Sequence, residues 1–245
     1  MSLPLVVRDL HKSYRKKKVL RGFQLEAREG TVTAILGPNG SGKSTFMRCL
    51  LGLHVFERGS VAVMGEDVRR GPAYRRHIGY MPQSPSFPDN LSVREIAGLI
   101  ERVRRVKPDF CRSEGLGVGA FLDQKWKTLS GGMKQKVNAV LALAFDAPLL
   151  VLDEPTASLD PASRLRLVDL LKRERERGKT ILLSTHVLGD LWELADYLAF
   201  LHEGQVECLS AQAVPGMGSD LSLFERSIAA QLENTRPSLS PETMR

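Results

Sequence analysis

Short apolar runs alternate along the chain with longer segments of helical periodicity, which predicts a mainly parallel sheet flanked by helices. The runs at 31–36, 149–152 and 180–183 have the length and composition of buried strands. Helical periodicity follows the first run, from Lys43 to about Leu53, and joins the other two, from Ala162 to Arg177. The pattern therefore indicates an α/β fold.

Two further segments read as antiparallel hairpins. Val61 and Val63 precede a Gly65-Glu66-Asp67 turn, and the strand patterns at 197–201 and 205–207 flank Glu203-Gly204. We expect the first hairpin in the amino-terminal part of the chain. The second is expected to be the last strand pair, before the strand and helix patterns weaken.

The character of the sequence changes between Gln83 and Leu129. Ser92 and Glu95 have the spacing of a capping box, and Pro108 is expected to stop the helix that follows. The apolar face of that helix is predicted to consist of Val93, Ile96, Leu99, Ile100 and Val103. We interpret this segment as a small helical insertion.

A length of 245 residues is enough for one large α/β domain, or for one domain plus a small appendage, and contents of 42% hydrophobic and 26% charged residues are ordinary for a soluble globular protein. No run approaches the roughly 18 apolar residues of a spanning helix, and the first eight residues lack a secretory signal, so we expect a cytoplasmic protein. Three scattered cysteines argue against a disulfide framework or a zinc site. The net charge of +7 is compatible with nucleic acid, an anionic lipid surface or ordinary solubility; no nucleic-acid-binding pattern accompanies it, and no nucleic-acid partner is expected.

A glycine-rich loop lies between the first predicted strand and the first predicted helix. It matches the phosphate-binding pattern G-x-x-x-x-G-K-[ST] and reads Gly37-Pro38-Asn39-Gly40-Ser41-Gly42-Lys43-Ser44-Thr45. Glycines let backbone N–H groups surround a phosphate, and the helix start adds unpaired amides and a positive dipole end. Lys43 supplies a cation for the β- and γ-phosphates, and the Ser44 hydroxyl is a ligand for Mg²⁺. The loop predicts a site for a nucleoside triphosphate.

Two carboxylates, Asp153 and Glu154, come directly after the buried strand at 149–152. Ligands of open α/β sheets bind at the carboxyl ends of strands, so both acids are expected beside the phosphate loop. We predict that Asp153 holds Mg²⁺ through water and that Glu154 is the general base that polarises the attacking water. Phosphoryl transfer is the expected reaction class.

A second glycine pair opens another predicted helix, in the segment Leu129-Ser130-Gly131-Gly132-Met133-Lys134-Gln135. A serine hydroxyl and free amides at a helix N-terminus form an anion site, and one nucleotide does not need two such sites from one chain. The segment resembles the LSGGQ signature of ABC ATPases, although Met133 stands where many members have glutamine. The resemblance implies a head-to-tail dimer in which the signature faces the γ-phosphate held by the second copy. The nucleotide contacts it implies are Ser130, Gly131, Gly132 and Gln135.

The resemblance covers about residues 5–207 and implies the fold and division of the chain. That fold is the α/β P-loop NTPase fold of ABC ATPases, with a mainly parallel core sheet, an N-terminal antiparallel β-subdomain and a small α-helical signature subdomain at about 84–145. The ATPase domain would span residues 3–209, and residues 210–245 would form a helical extension and a frayed tail from Pro237 onward.

Further motifs of the family occur in order. Tyr14 matches the aromatic residue that stacks on adenine, although one aromatic residue in a basic segment can also simply pack on the sheet. Gln83 matches the glutamine that touches Mg²⁺ and links to the transmembrane partner. Asp160 lies in the loop that crosses the dimer interface, and His186 matches the switch histidine on the γ-phosphate. The resemblance thus implies Lys43, Gln83, Glu154 and His186 as catalytic residues, with ATP and Mg²⁺ as cofactors.

Two roles are compatible with such an ATPase. The preferred one is a transporter subunit on the inner face of the cell membrane, whose dimer closure drives an integral-membrane partner. The other is a soluble ATPase acting on ribosomes or nucleic acid, but relatives of that kind usually carry two nucleotide domains or long insertions.

A finer resemblance concerns the cargo. The segments at 76–83 and 87–93 resemble those of ABC-2-type ATPases, which include drug, lipid and polysaccharide exporters. Within that group, the segments at 135–137, 186–191 and 224–228 are similar to the NosF-like ATPases, which serve a membrane partner and a periplasmic copper-binding protein in the maturation of nitrous oxide reductase. This resemblance implies no copper site in the chain itself.

Overall fold

In the computed structural model, which describes residues 3–234, ten β-strands form two sheets. The strands are β1 (Leu5–Tyr14), β2 (Lys17–Ala27), β3 (Val32–Leu36), β4 (Arg58–Val63), β5 (Glu66–Asp67), β6 (Ile78–Met81), β7 (Leu149–Asp153), β8 (Thr180–Ser184), β9 (Tyr197–His202) and β10 (Gln205–Ser210). The helices are α1 (Lys43–Leu50), α2 (Val93–Arg104), α3 (Gly131–Leu143), α4 (Pro161–Glu176), α5 (Leu188–Leu194) and α6 (Leu221–Asn234).

The larger sheet has six strands in the order β10-β9-β3-β8-β7-β6. All neighbours pair in parallel except β9 and β10, which form the antiparallel hairpin predicted around Gly204. The mainly parallel core sheet of the α/β prediction is therefore confirmed.

The smaller sheet is antiparallel, with the order β2-β1-β4-β5, and contains the predicted hairpin at the turn between Val63 and Glu66. It comes mostly from the amino-terminal quarter of the chain, which confirms an antiparallel β-layer there. The two sheets meet where β2 passes close to β10.

Both faces of the parallel strands are covered, so their side chains alternate between two hydrophobic cores. In β7, Leu150 and Leu152 pack toward the large helices, whereas Leu149 and Val151 pack toward α1 and the antiparallel sheet. All five residues of β3, β7 and β8 are buried, which explains why these strands appear as unbroken apolar runs in the sequence.

The helical segment between β6 and β7 begins with the predicted capping box. The Ser92 hydroxyl accepts from the Glu95 N–H at 3.2 Å, and the Glu95 carboxylate accepts from the Ser92 N–H at 2.7 Å. The predicted apolar face of α2 is partly wrong, because Leu99 and Val103 are 41% and 78% exposed. Leu99 and Val103 lie outside the stripe of α2 that packs on the core, and Val103 lines a groove together with Ala73 and Phe145. The helix ends at Arg104, before Pro108.

Helix α3 lies unusually close to β6. A Cβ at Gly79, in the middle of β6, would stand 2.3 Å from the carbonyl oxygen of Ala142 and 2.7 Å from Leu150. Only glycine lets the helix backbone approach the strand this closely. Gly79 thus fixes the depth at which α3 is seated on the sheet.

Beyond β10 the chain forms α6, which joins the main core through Phe224 and Ile228, both fully buried. The predicted frayed tail at 237–245 lies outside the described residues. The helical subdomain at about 84–145 and the end of the ATPase domain at residue 209 stay predictions. No helix within residues 3–234 is both long enough and apolar enough to cross a bilayer.

We expect Gly79→Ala to destabilise the fold by about 1–3 kcal/mol, because the added methyl group forces the α3 backbone away from β6. Gly98→Ala is the matched control, since Gly98 lies in α2 and a methyl group added there would have no neighbour within 4 Å. That change should be neutral or stabilise by about 0.5–1 kcal/mol through helix propensity. Urea unfolding measures both, and equal midpoints would contradict the close approach.

Candidate functional site

Four adjacent strands of the parallel sheet end at the same edge and deliver the site residues. In sheet order, the ends of β3, β8, β7 and β6 lead into the glycine-rich loop, His186, the acid pair and Gln83. These segments are separated by up to about 150 residues of sequence, and the parallel pairing brings them together.

A cavity of about 530 Å³ opens at this edge. Ten of the nineteen residues predicted for the whole site line it together, whereas Gly37, Pro38, Ser41 and His186 are not among its lining residues. Its lining consists of Tyr14, Lys17, Val19, Asn39, Gly40, Gly42, Lys43, Ser44, Thr45, Gln83, Asp153 and Glu154. The cavity lining thus includes two cations, Lys17 and Lys43, and two carboxylates, Asp153 and Glu154.

The glycine-rich loop turns directly into α1. Gly42 caps the helix with a φ of 117°, a conformation that favours glycine, and a Cβ there would press on Leu20 and Val19 at 3.1–3.2 Å. The Lys43 ammonium donates to the carbonyl oxygens of Gly37 at 2.6 Å and Pro38 at 3.3 Å, which holds it over the loop. Burial lowers the pKa of Lys43, while the charges of Glu154 and Asp153 oppose that shift.

The Asp153 carboxylate is held by two hydroxyl groups. Ser184 Oγ donates to its Oδ1 at 2.5 Å, and Ser44 Oγ donates to its Oδ2 at 3.3 Å. Asp153 is 6% exposed, so these bonds fix its orientation. Ser44 and Asp153 therefore present oxygen atoms side by side, at the start of α1 and the end of β7.

Glu154 and His186 form a pair across the ends of β7 and β8. His186 Nδ1 lies 2.7 Å from Glu154 Oε2, and the His186 N–H donates to the same oxygen at 3.4 Å. Because an ionised carboxylate only accepts hydrogen bonds, Nδ1 carries the proton in this contact. The Glu154 side chain is 10% exposed, whereas that of His186 is 75% exposed. The exposed ring can offer its Nε2 to a ligand.

Asp190 links the segments that follow Glu154 and His186 in the chain. It is 5% exposed and accepts from Thr156 Oγ1 and Arg164 Nε, both at 2.6 Å. Thr156 follows Glu154 by two residues, and Asp190 follows His186 by four, so one buried carboxylate joins the two loops. No motif or periodicity in the sequence points to this contact.

The signature residues do not line the cavity. Ser130 caps α3, its Oγ accepting from the Met133 N–H at 3.2 Å, which leaves the hydroxyl proton available to an anion. Gly131 is exposed, and a methyl group added to it would meet nothing within 4 Å. The start of α3 is thus an exposed group of donors separate from the phosphate loop.

Two further residues of the predicted site make hydrogen bonds within the chain. Gln135 is 3% exposed and its amide donates to the carbonyl oxygens of Glu154 and Pro155, and its role as a direct nucleotide contact stays a prediction. The Asp160 carboxylate caps α4 by accepting from the Ser163 hydroxyl and N–H, and these bonds lower its pKa.

Tyr14 stands at the mouth of the cavity, 40% exposed, with its hydroxyl bonded to His54 Nδ1. Lys17 and Val19 were not predicted as lining residues. Lys17 belongs to the basic segment around Tyr14, whose charge alone does not indicate a ligand, and Val19 looks like any strand residue. The hairpin of β1 and β2 brings both beside the loop.

Comparisons with known proteins agree with this geometry. Residues 20–157 match the family described as ABC transporter. A lantibiotic transport ATP-binding protein, SrtF of Streptococcus pyogenes, is 32% identical over 204 residues, which cover 82% of this chain and 88% of the relative. A Nod factor export ATP-binding protein I of Burkholderia orbicola is 34% identical, with 82% of this chain and 69% of the relative covered.

A longer relative shares the same region. ATP-binding cassette sub-family A member 7 of Rattus norvegicus is 36% identical over 82% of this chain, which spans only 10% of that protein. Among solved structures, one described as an ATP-binding subunit of an ABC transporter superposes with a TM-score of 0.82. It is 28% identical, and the alignment covers 93% of this chain and all of that one.

Proposed function

The chain belongs to the ATP-binding cassette family of ABC transporters and is an ATPase, and we propose that it hydrolyses ATP at sites shared between two copies of itself. The Glu154–His186 pair is the observation that supports hydrolysis, because the Glu154 carboxylate lines the cavity that also contains Lys43 and Ser44. An acid placed opposite a phosphate loop is what hydrolysis of a terminal phosphate needs.

Each residue of the site has its own role in the proposed reaction. Amides of the glycine-rich loop and the Lys43 ammonium bind the β- and γ-phosphates. Glu154 accepts a proton from water as the water oxygen forms a bond to the γ-phosphorus, and the bond from that phosphorus to the bridging oxygen breaks to release ADP. His186 fixes Glu154 through Nδ1 and offers Nε2 to the γ-phosphate. Gln83, which lines the same cavity, orients the water.

The donor set fits Mg²⁺. Ser44 Oγ and Asp153 Oδ2 lie 3.3 Å apart, and Gln83 lines the same cavity with an amide oxygen. Mg²⁺ prefers oxygen ligands and keeps several waters, so a hydroxyl with one nearby carboxylate suits it. When bound, the ion neutralises charge on the β- and γ-phosphates.

A second copy of the chain completes each site in this proposal. Ser130, Gly131 and Gly132 form an exposed donor group outside their own cavity. A head-to-tail dimer puts them on the γ-phosphate of the other copy, with the loop around Asp160 at the interface.

A membrane subunit is the proposed partner, which places the chain on the inner face of the cell membrane. A groove of about 460 Å³ supports this proposal. Its lining includes Val103 and Val106, which are 78% and 49% exposed, together with Arg75, Arg76 and Arg104.

The groove is connected to the strand that leads into Gln83. Arg104 donates to the carbonyl oxygen of Ile78 at 2.6 Å, at the start of β6, and Gln83 follows the other end of that strand. A subunit bound in the groove would therefore move with the sheet when the dimer closes.

The cargo follows from the relatives only as a class. One of them is named for Nod factor export and another for lantibiotic transport, and we propose that this chain serves an exporter of the ABC-2 type. A NosF-like role in copper-site maturation, with a periplasmic copper-handling protein, stays a prediction from the segments at 135–137, 186–191 and 224–228. The genes beside this one test it, since a copper protein or a nitrous oxide reductase there would support it.

We expect Glu154→Gln to lower kcat for ATP hydrolysis by about 10²- to 10⁴-fold, because the amide cannot accept the proton. ATP binding should survive, so the variant should accumulate as an ATP-bound dimer. Phosphate release and light scattering with ATP and Mg²⁺ measure the two effects. Glu29→Gln is the control, since Glu29 is exposed at the opposite end of β3. A variant that stays monomeric under these conditions would count against the shared sites.

We expect Tyr14→Ala to weaken ATP binding by about 5- to 150-fold, which corresponds to the ~1–3 kcal/mol of stacking between a base and an aromatic ring. Tyr14→Phe keeps the ring and loses only the bond to His54, so its affinity should stay close to wild type. Calorimetric titration with ATP measures both. Unchanged affinity in Tyr14→Ala would show that the ring only packs on the sheet.

A further inference from the structure

Helix α3 carries two buried amide side chains among its apolar residues. Gln135 and Asn138 are each 3% exposed, and they lie three residues apart, on one face of the helix. Their buried neighbours Val137, Ala139 and Val140 are apolar. A buried amide is costly unless it is hydrogen-bonded, so the bonds that these two side chains make determine why they are tolerated there.

Each amide reaches a different loop of the cavity. Gln135 Nε2 donates to the carbonyl oxygens of Glu154 and Pro155, both at 3.2 Å. Asn138 Nδ2 donates to the carbonyl oxygen of Pro82 at 2.7 Å. One helix therefore binds the peptide that carries the general base and the peptide that directly precedes Gln83.

The backbone of Glu154 needs such support. Its φ is 52°, in the left-handed region that a residue with a side chain rarely adopts. Its N–H donates to the carbonyl oxygen and the hydroxyl of Ser184, both at 3.1 Å. Gln135 holds the carbonyl of the same residue. The direction of the Glu154 carboxylate thus depends on β8 and on α3 together.

The amino end of α3 belongs to the other shared site. Ser130 precedes Gln135 by five residues and Asn138 by eight, which is ~8 and ~12 Å along a helix. Lys136 also pairs with Asp160 at 3.3 Å, on the loop proposed to lie at the dimer interface. A shift of α3 caused by a ligand at Ser130 therefore reaches both cavity loops through hydrogen-bonded contacts.

We propose that Gln135 and Asn138 are positioning residues through which the nucleotide of the second copy, bound at the start of α3, sets the placement of Glu154 and Gln83 in this copy. The inference rests on the shared sites of the proposed function. It makes α3 a regulatory connection between the two sites of one dimer, and it requires no contact between either amide and a nucleotide.

The test compares Gln135→Leu and Asn138→Leu, which keep the approximate volume and remove the donor, with wild type. We expect kcat to fall at least tenfold while KM for ATP changes less than twofold, because neither side chain lines the cavity. The Hill coefficient for ATP should fall toward 1. Val140→Ala is the matched control, since it loosens the packing of α3 and leaves both loops bonded.

Unfolding midpoints separate positioning from stability. If the amides only stabilise the fold, the leucine variants and Val140→Ala will lower the midpoint alike while kcat and the Hill coefficient stay at the wild-type values, and the inference is overturned. A large rise in KM would also overturn it, because that result would assign the amides to nucleotide binding.

Mixed dimers locate the effect. One chain carries Glu154→Gln, so all turnover comes from the other chain. We expect Gln135→Leu to slow turnover when it lies in the chain with an intact Glu154, and to leave the rate within twofold when it lies in the Glu154→Gln chain. Equal losses in both placements would show that Gln135 acts through the signature, which overturns the inference.

Wild type gives a separate test of the proposed function. If it hydrolyses ATP without forming a dimer and with a Hill coefficient of 1, the shared sites fail, and the connection between them fails with them. If wild type dimerises and is cooperative but the leucine variants match it in kcat and Hill coefficient, only the role of the two amides is wrong.

Discussion

The parallel alignment of four adjacent strands is the constraint on which the site depends. Because β3, β8, β7 and β6 run in one direction, the loops that follow them leave the sheet at one edge. Hydrogen bonds then join neighbouring strand ends: Ser184 holds Asp153, and His186 holds Glu154. The distance between the acids and Lys43 is thereby set by strand spacing, which the buried cores on both faces keep fixed.

Those parts of the site that are local in sequence could be predicted. A buried strand, a glycine-rich turn and a helix follow one another around Lys43, and the acid pair directly follows another buried strand, so each motif carries its own structural context. The alternation of strands and helices likewise predicts the sheet, because side chains buried on both faces of β3, β7 and β8 give unbroken apolar runs.

Contacts between distant segments could not be predicted in this way. Gln135 looks like part of a surface motif until the fold places it beneath the loop of Glu154. Asp190 has no pattern of its own, although it joins the loops after β7 and β8. The exposure of Val103 could not be predicted for the same reason. Helical periodicity identifies an apolar row but does not show whether another element of the chain covers it.

The close approach at Gly79 restricts how α3 can move. Where Ala142 meets β6, backbone lies against backbone, and no flexible side chain is present to absorb a sliding motion. Tilting about this contact displaces little there, but it displaces the far end of the helix much more, because Ser130 is twelve residues away, or ~18 Å. A tilt of α3 about its carboxyl end would therefore move the signature, at the opposite end of the helix, by the largest distance.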